Sequence, residues 1–397
     1  SLGTGLFKGN LQVMVGRLYD EPRYADRRDA GFSLFYMAIN IGAMFAPTAA
    51  IAIMNWAQNS LGISEADSYH FAFGVACASL IVSIGIYYAF QGWFSHVLKG
   101  EGKKDEKAQV VDTLSPAETK ERIICLCLVF AVVIFFWMAF HQNGLTLTFF
   151  ARDYTQTSSE GLQSMMFDVT NLVAFIFIVY GLFGFFQSKT GQGKGFSALL
   201  VAVAAAFLGW KYNSLSGAVD VQAPIFQQFN PCFVVALTPV SVALFSWLAK
   251  KGKEPSSPKK IGLGMLVAAC GFFIMIGASI GLLLPDAQTA AIAAGGDVTR
   301  VSANWLVSTY LVLTFAELLL SPIGISFVSK VAPPKYAGLM MGLWFASTAI
   351  GNFLVQIPGL LWGANVQLTY IWAVLAGICL VSALFIFSIL KKLEKVA

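Results

Sequence analysis

Long apolar segments follow one another along most of this chain, and they restrict its fold more than any other feature. A helix needs roughly 20 apolar residues to cross the ~30 Å hydrocarbon core of a bilayer. Only 12% of the residues are charged, whereas a soluble domain has about a quarter. Eleven segments approach or exceed the spanning length, at residues 2–19, 31–57, 69–94, 121–150, 164–187, 195–211, 224–249, 260–283, 303–330, 336–361 and 366–390. The sequence therefore predicts an all-α polytopic membrane protein.

The lysines and arginines are distributed unevenly between the loops. Of the 26 in all, 22 fall in one set of alternate loops and one, Lys8, lies within the first apolar segment; the opposite loops hold only Arg152, Lys211 and Arg300. Cytoplasmic loops carry the excess of basic residues, so this pattern predicts a cytoplasmic C-terminus and places residue 1 on the outer side. The first segment lacks the features of a signal peptide. This interpretation therefore calls for an odd number of spans before residue 1.

The longest hydrophilic stretch, residues 95–120, predicts a cytoplasmic linker between a smaller and a larger helical bundle. It is rich in charge and lacks aromatic side chains, a composition typical of flexible connections. Near its end is "SPAE", in which Ser115 can cap a helix, Pro116 can occupy the first turn and Glu118 can complete a capping box. The sequence thus predicts that a helix begins there.

A carboxylate, Glu317, lies in the middle of the apolar run "TYLVLTFAELLLSPIGISFVSKVAP", and Pro322 follows it. A charge at that depth is costly and usually faces a cavity or a partner, and a proline interrupts the backbone bonds of a helix. The run predicts a helix that lines a polar cavity; a structural ion pair is the alternative. Lys8, about two turns into its own segment, either extends to the interface or faces Glu317 across a gate or a bipolar ligand.

Other polar groups lie inside the apolar segments, and each also has a purely structural explanation. Asn40 and Asn230 could line a cavity or could hydrogen-bond neighbouring helices. Trp344 lies several residues inside its segment, so it could form a pocket wall or an interfacial anchor. His141 could be a structural histidine or a proton relay, since histidine titrates near neutral pH.

Four stretches contain most of these polar residues with their flanking sequence. They are "GTGLFKGNLQVMVGRLYD" (3–20), "RRDAGFSLFYMAINIGAMFAP" (27–47), "FNPCFVVALTPV" (229–240) and "WLVSTYLVLTFAELLLSPIGISFVSKVAPPKYAGLMMGLWFASTAIGNFL" (305–354). Together they resemble the proton-dependent oligopeptide transporter family, a branch of the major facilitator superfamily. The second and the last stretches are the specific ones.

The resemblance implies a major facilitator fold of two six-helix bundles. The first segment is similar to the family's fourth helix, so the first three helices are expected to be missing and about 11 to be present. Residues 1–94 would be the remainder of the N-terminal bundle (family helices 4–6), and residues 121–150 with 224–391 the C-terminal six-helix bundle. Residues 164–211 resemble the two extra helices of bacterial members. Those usually lie between the bundles, whereas here they interrupt the second one.

The resemblance also implies roles for individual residues. Lys8 would meet the carboxylate end of a peptide and Glu317 its amino end. Both are proton-coupling candidates, and a third is His141, which lies near a position that is acidic in many bacterial members. The expected substrate-binding residues are Lys8, Asn40, Asn230, Glu317 and Trp344.

The function implied by the resemblance is proton-coupled symport of di- and tripeptides into the cell by alternating access, in a bacterial inner membrane. Protons would be the coupling ion, and no enzyme activity, cofactor, metal or nucleic-acid partner is expected. Two alternatives remain: a relative that carries nitrate or an amino-acid conjugate, and a membrane sensor that does not transport. The combination of Lys8 and Glu317 favours a zwitterion, since a lone anion does not need a carboxylate.

Overall fold

The computed structural model describes residues 28–98, 114–296 and 298–396, together with four helical positions at 11, 14, 15 and 18. Lys8 and the rest of the predicted first span lie outside the described residues. The chain divides into two compact units, Ser1–Gln109 and Val110–Ala397.

The described part of the first unit is a helical hairpin followed by a short helix. Near the turn of the hairpin, Gln58 Nε2 donates a hydrogen bond of 3.0 Å to Ser68 Oγ. The ring of Trp56 meets Phe71 edge-on at a centroid distance of 6.2 Å. These contacts hold the first two helices side by side. The helices are α1 (Arg28–Leu61), α2 (Glu65–Ala89) and α3 (Gln91–Leu98).

The second unit is also almost entirely helical. Its helices are α4 (Pro116–Phe140), α5 (Thr146–Asp153), α6 (Gly161–Ser164), α7 (Val169–Gln187), α8 (Gly191–Asn213), α9 (Phe229–Lys250), α10 (Ser257–Ala278), α11 (Pro285–Ala293), α12 (Asn304–Val331), α13 (Ala337–Leu354), α14 (Gln356–Gly363), α15 (Leu368–Ser388) and α16 (Leu390–Val396). Short 3-10 turns occupy His141–Gly144, Met165–Phe167, Ala223–Gln228 and Pro334–Tyr336. Two short strands, β1 (Ser158–Ser159) and β2 (Val219–Asp220), pair antiparallel.

Ten helical segments of the described residues are long and apolar enough to cross a membrane. They coincide with ten of the predicted spans, from 31–57, found as Phe35–Leu61, to 366–390, found as Leu368–Ser388. The prediction of an all-α, multi-pass membrane protein is confirmed. The agreement is close because a bilayer demands both a minimum length and an almost unbroken run of apolar residues.

The helix predicted to begin near the end of the hydrophilic stretch is α4. The Ser115 hydroxyl accepts a bond from the Glu118 N–H, and Glu118 Oε2 accepts the Ser115 N–H at 2.9 Å. This capping box satisfies two backbone donors that the first turn would otherwise leave without partners. Pro116 lies in that first turn, where its missing N–H costs nothing. The predicted helix start is confirmed.

Helix α10 packs against both α12 and α15 and forms the core of the second unit with them. Trp372 of α15 is fully buried, and its Nε1 donates to Ser279 Oγ at 2.9 Å. Its ring stacks on Phe272 of α10 at 6.5 Å. Because the one polar atom of the indole is satisfied, the rest of the ring can be buried at full hydrophobic gain. This packing holds α12, the helix that carries Glu317.

One end of the second unit is a network of loop contacts. Thr155 forms a parallel bridge with Val301, and Arg300 Nη1 donates to the backbone carbonyl of Arg152 at 3.0 Å. Lys211 pairs with Asp168 at 2.7 Å. The three basic residues of the sparsely charged loops therefore all belong to this end.

The opposite end of the same unit holds the loops that are rich in lysine. Arg122 Nη1 donates to the carbonyl of Val331 at 3.3 Å, and Lys395 pairs with Glu121 at 3.2 Å. Within this unit the loops thus alternate between two ends as the charge pattern indicates. Which end is cytoplasmic stays a prediction.

Helices α7 and α8, which correspond to the predicted extra pair, pack on each other, and α7 also packs on α9. Tyr180 Oη of α7 donates to the carbonyl of Val235 of α9 at 3.2 Å. Asp168 caps α7 and receives Lys211 of α8. Burial alone would raise the pKa of Asp168, but the hydrogen bonds from Lys211 and Thr170 outweigh burial and lower this pKa. The pair is therefore tied together at one end, and α7 is fastened to α9.

Candidate functional site

Glu317 lies in the middle of the spanning helix α12, and its side chain is only 7% exposed. The helix rise of 1.5 Å per residue puts it roughly 20 Å from either end of the helix. A charged group at that depth needs partners from the protein.

Asn230 supplies one of those partners. Its Nδ2 lies 2.9 Å from Glu317 Oε2 and 2.9 Å from Thr314 Oγ1. The Thr314 hydroxyl in turn donates to the carbonyl of Tyr310 at 2.7 Å. Asn230 lies in the first turn of α9, where the following Pro231 removes no helical hydrogen bond. The structure thus brings together two of the predicted site residues, Asn230 and Glu317, from different helices.

Trp344 belongs to α13 and packs against α12 two turns beyond Glu317. Its side chain is 2% exposed, and its ring covers Gly324, where an added Cβ would lie 2.0 Å from the ring. The ring also meets Phe130 edge-on at 6.3 Å. Gly324 is seven residues after Glu317, so both occupy one face of the helix. Trp344 therefore packs into the bundle on the face of α12 that carries the carboxylate.

His141 begins the 3-10 turn between α4 and α5. Its Nδ1 is 3.1 Å from the carbonyl of Trp137, and the two rings stack at 5.0 Å. The same turn contacts α12, because Tyr310 Oη donates to the carbonyl of Asn143 at 3.3 Å. The segment of His141 and the pair of Asn230 and Glu317 are therefore linked through Tyr310.

Two predicted site residues remain, Asn40 and Lys8. Asn40 lies in the first unit, is 7% exposed and donates to the carbonyl of Tyr36 in its own helix at 2.9 Å. Lys8 lies outside the described residues. The roles predicted for both stay predictions.

Sequence reasoning missed Thr314 and Tyr310. Thr314 is three residues before Glu317 and therefore on the same helix face, so helical spacing alone could have found it. In the sequence, nothing distinguishes Tyr310 from the apolar residues of the same span. Its contact with Asn143 depends on how two helices pack, which the sequence pattern does not contain.

Comparison with known proteins places these features in a family. The sequence model described as the POT family matches residues 1–117 and 204–361, which is more than half of the chain. This chain belongs to the POT family. Two stretches lie outside the match, residues 118–203, which contain His141 and helix α7, and residues 362–397. The resemblance to the proton-dependent oligopeptide transporters is confirmed.

Curated relatives of this POT family chain include two bacterial proteins. The Peptide transporter YePEPT of Yersinia enterocolitica is 30% identical over 381 residues, which cover 90% of this chain and 66% of the relative. The Dipeptide and tripeptide permease B of Salmonella typhimurium is 26% identical over 370 residues, which cover 89% of this chain and 64% of the relative. The chain thus spans slightly less than two thirds of the length of these relatives.

The fold agrees with solved structures of the POT family. The crystal structure of tetrameric PepTSo2 matches all of this chain and 76% of that chain with a TM-score of 0.62 at 17% identity. At that identity the likeness concerns the fold alone. The expected major facilitator fold is confirmed.

Proposed function

We propose that this POT family chain carries di- and tripeptides into the cell together with protons. The observation that carries the proposal is the bond between Asn230 and Glu317 in the middle of a spanning helix. Two relatives that bear the names of a peptide transporter and of a dipeptide and tripeptide permease support it. The membrane is proposed to be a bacterial inner membrane, with the C-terminus on the cytoplasmic side.

The chemistry of the pair suits the amino end of a peptide. A carboxylate offers about four lone-pair sites, so accepting one bond from Asn230 is compatible with accepting others from an ammonium group. Charge-assisted bonds of this kind are about twice as strong as neutral ones. Lys8 is the proposed partner of the peptide carboxylate, with Asn40 and Trp344 as further residues of the binding region.

Protons are the proposed coupling ion, with no other cofactor. The candidate carriers are Glu317, Lys8 and His141. Coupling requires that proton and peptide together favour a state that neither favours alone. Competition between a proton and an ammonium group for Glu317 alone would give exchange, so symport calls for a second proton-binding group beside Glu317, and Lys8 and His141 are the candidates.

The alternative functions assign different roles to Glu317. A carrier of nitrate has no use for a carboxylate near its substrate, whereas an amino-acid conjugate with a free amine would use it as a peptide does. A sensor would bind the same ligands without moving them. The retention of a buried carboxylate with an amide partner favours a substrate that carries an amine.

The test is uptake of radiolabelled dialanine by proteoliposomes under an inward proton gradient. We expect accumulation that unlabelled dialanine blocks and nitrate does not. Glu317→Gln keeps the size of the side chain and removes its charge, so accumulation should be lost. Glu160→Gln, an exposed acid outside the spans, should behave like the wild-type chain. Competition by nitrate, or normal accumulation by the Glu317→Gln chain, would contradict the proposal.

A further inference from the structure

Two neighbouring spans of the second unit are both interrupted. Helices α4 and α5 are separated by the 3-10 turn His141–Gly144, after which Leu145 has φ −132° and ψ −89°, far from helical values. Helices α13 and α14 meet at Val355, whose φ −52° and ψ −28° remain helical, so the interruption of this span comes from a proline. Pro358 lies in the first turn of α14 and has no N–H to give to the carbonyl of Leu354. Interruptions of this kind are the places where a spanning helix can change its direction.

The side chain of Gln142 connects the two interruptions. Its Nε2 donates to the carbonyl of Val355 at 3.1 Å and to the carbonyl of Met138 at 3.0 Å. Its Oε1 accepts the hydroxyl of Thr146 at 2.8 Å. One amide thus bonds the last turns of α4, the first residue of α5 and the interruption between α13 and α14. The side chain is 0% exposed, so water does not compete for these bonds.

The helices are packed in register on both sides of this amide. A Cβ at Gly351 would lie 2.6 Å from Trp137 Cβ, and a Cβ at Gly359 would lie 2.7 Å from Leu145 Cδ2. Residues 351, 355 and 359 are spaced by four and therefore share one helix face. The two spans therefore contact each other before Gln142, at Gln142 and after it. Sliding or turning one span against the other would break all three contacts together.

We propose that Gln142 is a positioning residue that makes these two interrupted spans bend as one unit. Without the amide, the carbonyls of Val355 and Met138 lose a donor in a region where no bulk water replaces it. Each interruption would then adjust independently of the other. The consequence for transport rests on the proposed function: spans that reorient around a substrate do so by bending at defined points. Because Gln142 is wholly buried, its effect on transport is indirect and comes from positioning the two spans.

Hydrogen–deuterium exchange of the 397-residue chain in detergent tests this proposal directly. Gln142→Met keeps the volume of the side chain and removes its hydrogen bonds. We expect about tenfold faster exchange, the effect of one lost buried hydrogen bond, in both segments 141–153 and 351–363. The segments that belong to α10 and α15 should exchange as in the wild-type chain.

Gln142→Glu separates hydrogen bonding from space filling. Burial and the two facing carbonyl oxygens hold the pKa of the introduced carboxyl well above its ordinary value, so only at alkaline pH should exchange be at least as fast as in Gln142→Met. At acid pH the protonated carboxyl can donate one bond, and part of the protection should return relative to the wild-type chain at the same pH. Gln142→Met should show no such recovery. Equal behaviour of the two variants at every pH would overturn the role of the amide.

Gln228 provides a matched control, because it is equally buried and donates to the carbonyl of Met166 at 3.3 Å. Gln228→Met should leave segment 351–363 protected. Gln142→Met could instead exchange faster only in segment 141–153 and leave segment 351–363 unchanged. That result would overturn the joint bending of the two spans. Proteoliposome uptake is measured in parallel. Absence of uptake by the wild-type chain would count against the proposed function and leave the exchange result standing.

Discussion

Asn230 Nδ2 lies 2.9 Å from Glu317 Oε2, and this hydrogen bond joins the first turn of α9 to the middle of α12. The same nitrogen lies 2.9 Å from Thr314 Oγ1, so one amide holds two positions of α12. Glu317 is 7% exposed, and a buried carboxylate depends on protein donors more than on water. The amide therefore fixes where the carboxylate stands as well as compensating part of its burial.

We expect Asn230→Ala to lower the free energy of unfolding by about 1–3 kcal/mol, because it leaves a buried carboxylate and a buried hydroxyl without this donor. The half-saturation concentration for dialanine should rise on the order of tenfold, since Glu317 is no longer held in place. Thermal unfolding in detergent and uptake kinetics measure the two effects. Asn352→Ala, at an exposed position of α13, should change stability by less than about 0.5 kcal/mol. Equal effects of the two substitutions would contradict a special role for Asn230.

The contact between Gly324 and Trp344 leads to a second prediction. An added Cβ would lie 2.0 Å from the indole ring, so Gly324→Ala should destabilise the protein by about 1–3 kcal/mol through overpacking. Gly338 has no atom within 4 Å of an added Cβ. Gly338→Ala should therefore stabilise its helix by up to about 1 kcal/mol. Thermal unfolding of the two variants checks the opposite signs, and destabilisation by both would argue against the close contact.

Much of this architecture could be predicted from sequence because the bilayer imposes simple rules. Apolar length marks the spans, and the capping box at Ser115 marks a helix start to the residue. Glu317 and Asn230 stand out because intramembrane polar groups are expensive. Residue type and depth are enough for inferences of this kind.

The contacts between these residues could not be predicted in the same way. Asn230 and Glu317 are 87 residues apart, and their meeting depends on the rotation of two helices about their own axes. The sequence predicted one continuous span at 121–150 and not the interruption between α4 and α5. A run of polar residues inside an apolar segment does not specify a 3-10 turn. Gln142 became a candidate only when its partners in two spans were known.

The ion pair of Asp168 and Lys211 predicts a pH dependence of stability. Hydrogen bonds from Lys211 and Thr170 outweigh burial and hold the pKa of Asp168 below its ordinary value of 3.8. The pair therefore stabilises the folded protein at neutral pH, and this contribution is lost as the pH falls below about 3.8 and through the lower folded-state pKa. The melting temperature of the wild-type chain should exceed that of Lys211→Met at pH 7, and the difference should shrink toward pH 3.

Lys194→Met is the control for this pair. Lys194 lies over the Phe185 ring at 6.0 Å, a contact that involves no carboxylate. Its melting-temperature difference from the wild-type chain should stay constant between pH 7 and pH 3. If the melting-temperature difference between Lys211→Met and the wild-type chain is also constant, Asp168 is ruled out as the titrating group.

His141 provides the sharpest test of how protons enter the cycle, because its ring stacks on Trp137 at the interruption that Tyr310 connects to the helix of Glu317. Histidine ordinarily titrates near pH 6.5, whereas glutamine does not titrate. If His141 relays protons, His141→Gln should flatten the dependence of dialanine uptake on external pH between about 5.5 and 7.5. His70→Gln, at an exposed position of α2, should keep the wild-type profile. A His141→Gln chain with the wild-type profile would leave the histidine a packing role against Trp137, and would make Glu317 the stronger candidate for the proton carrier among the described residues.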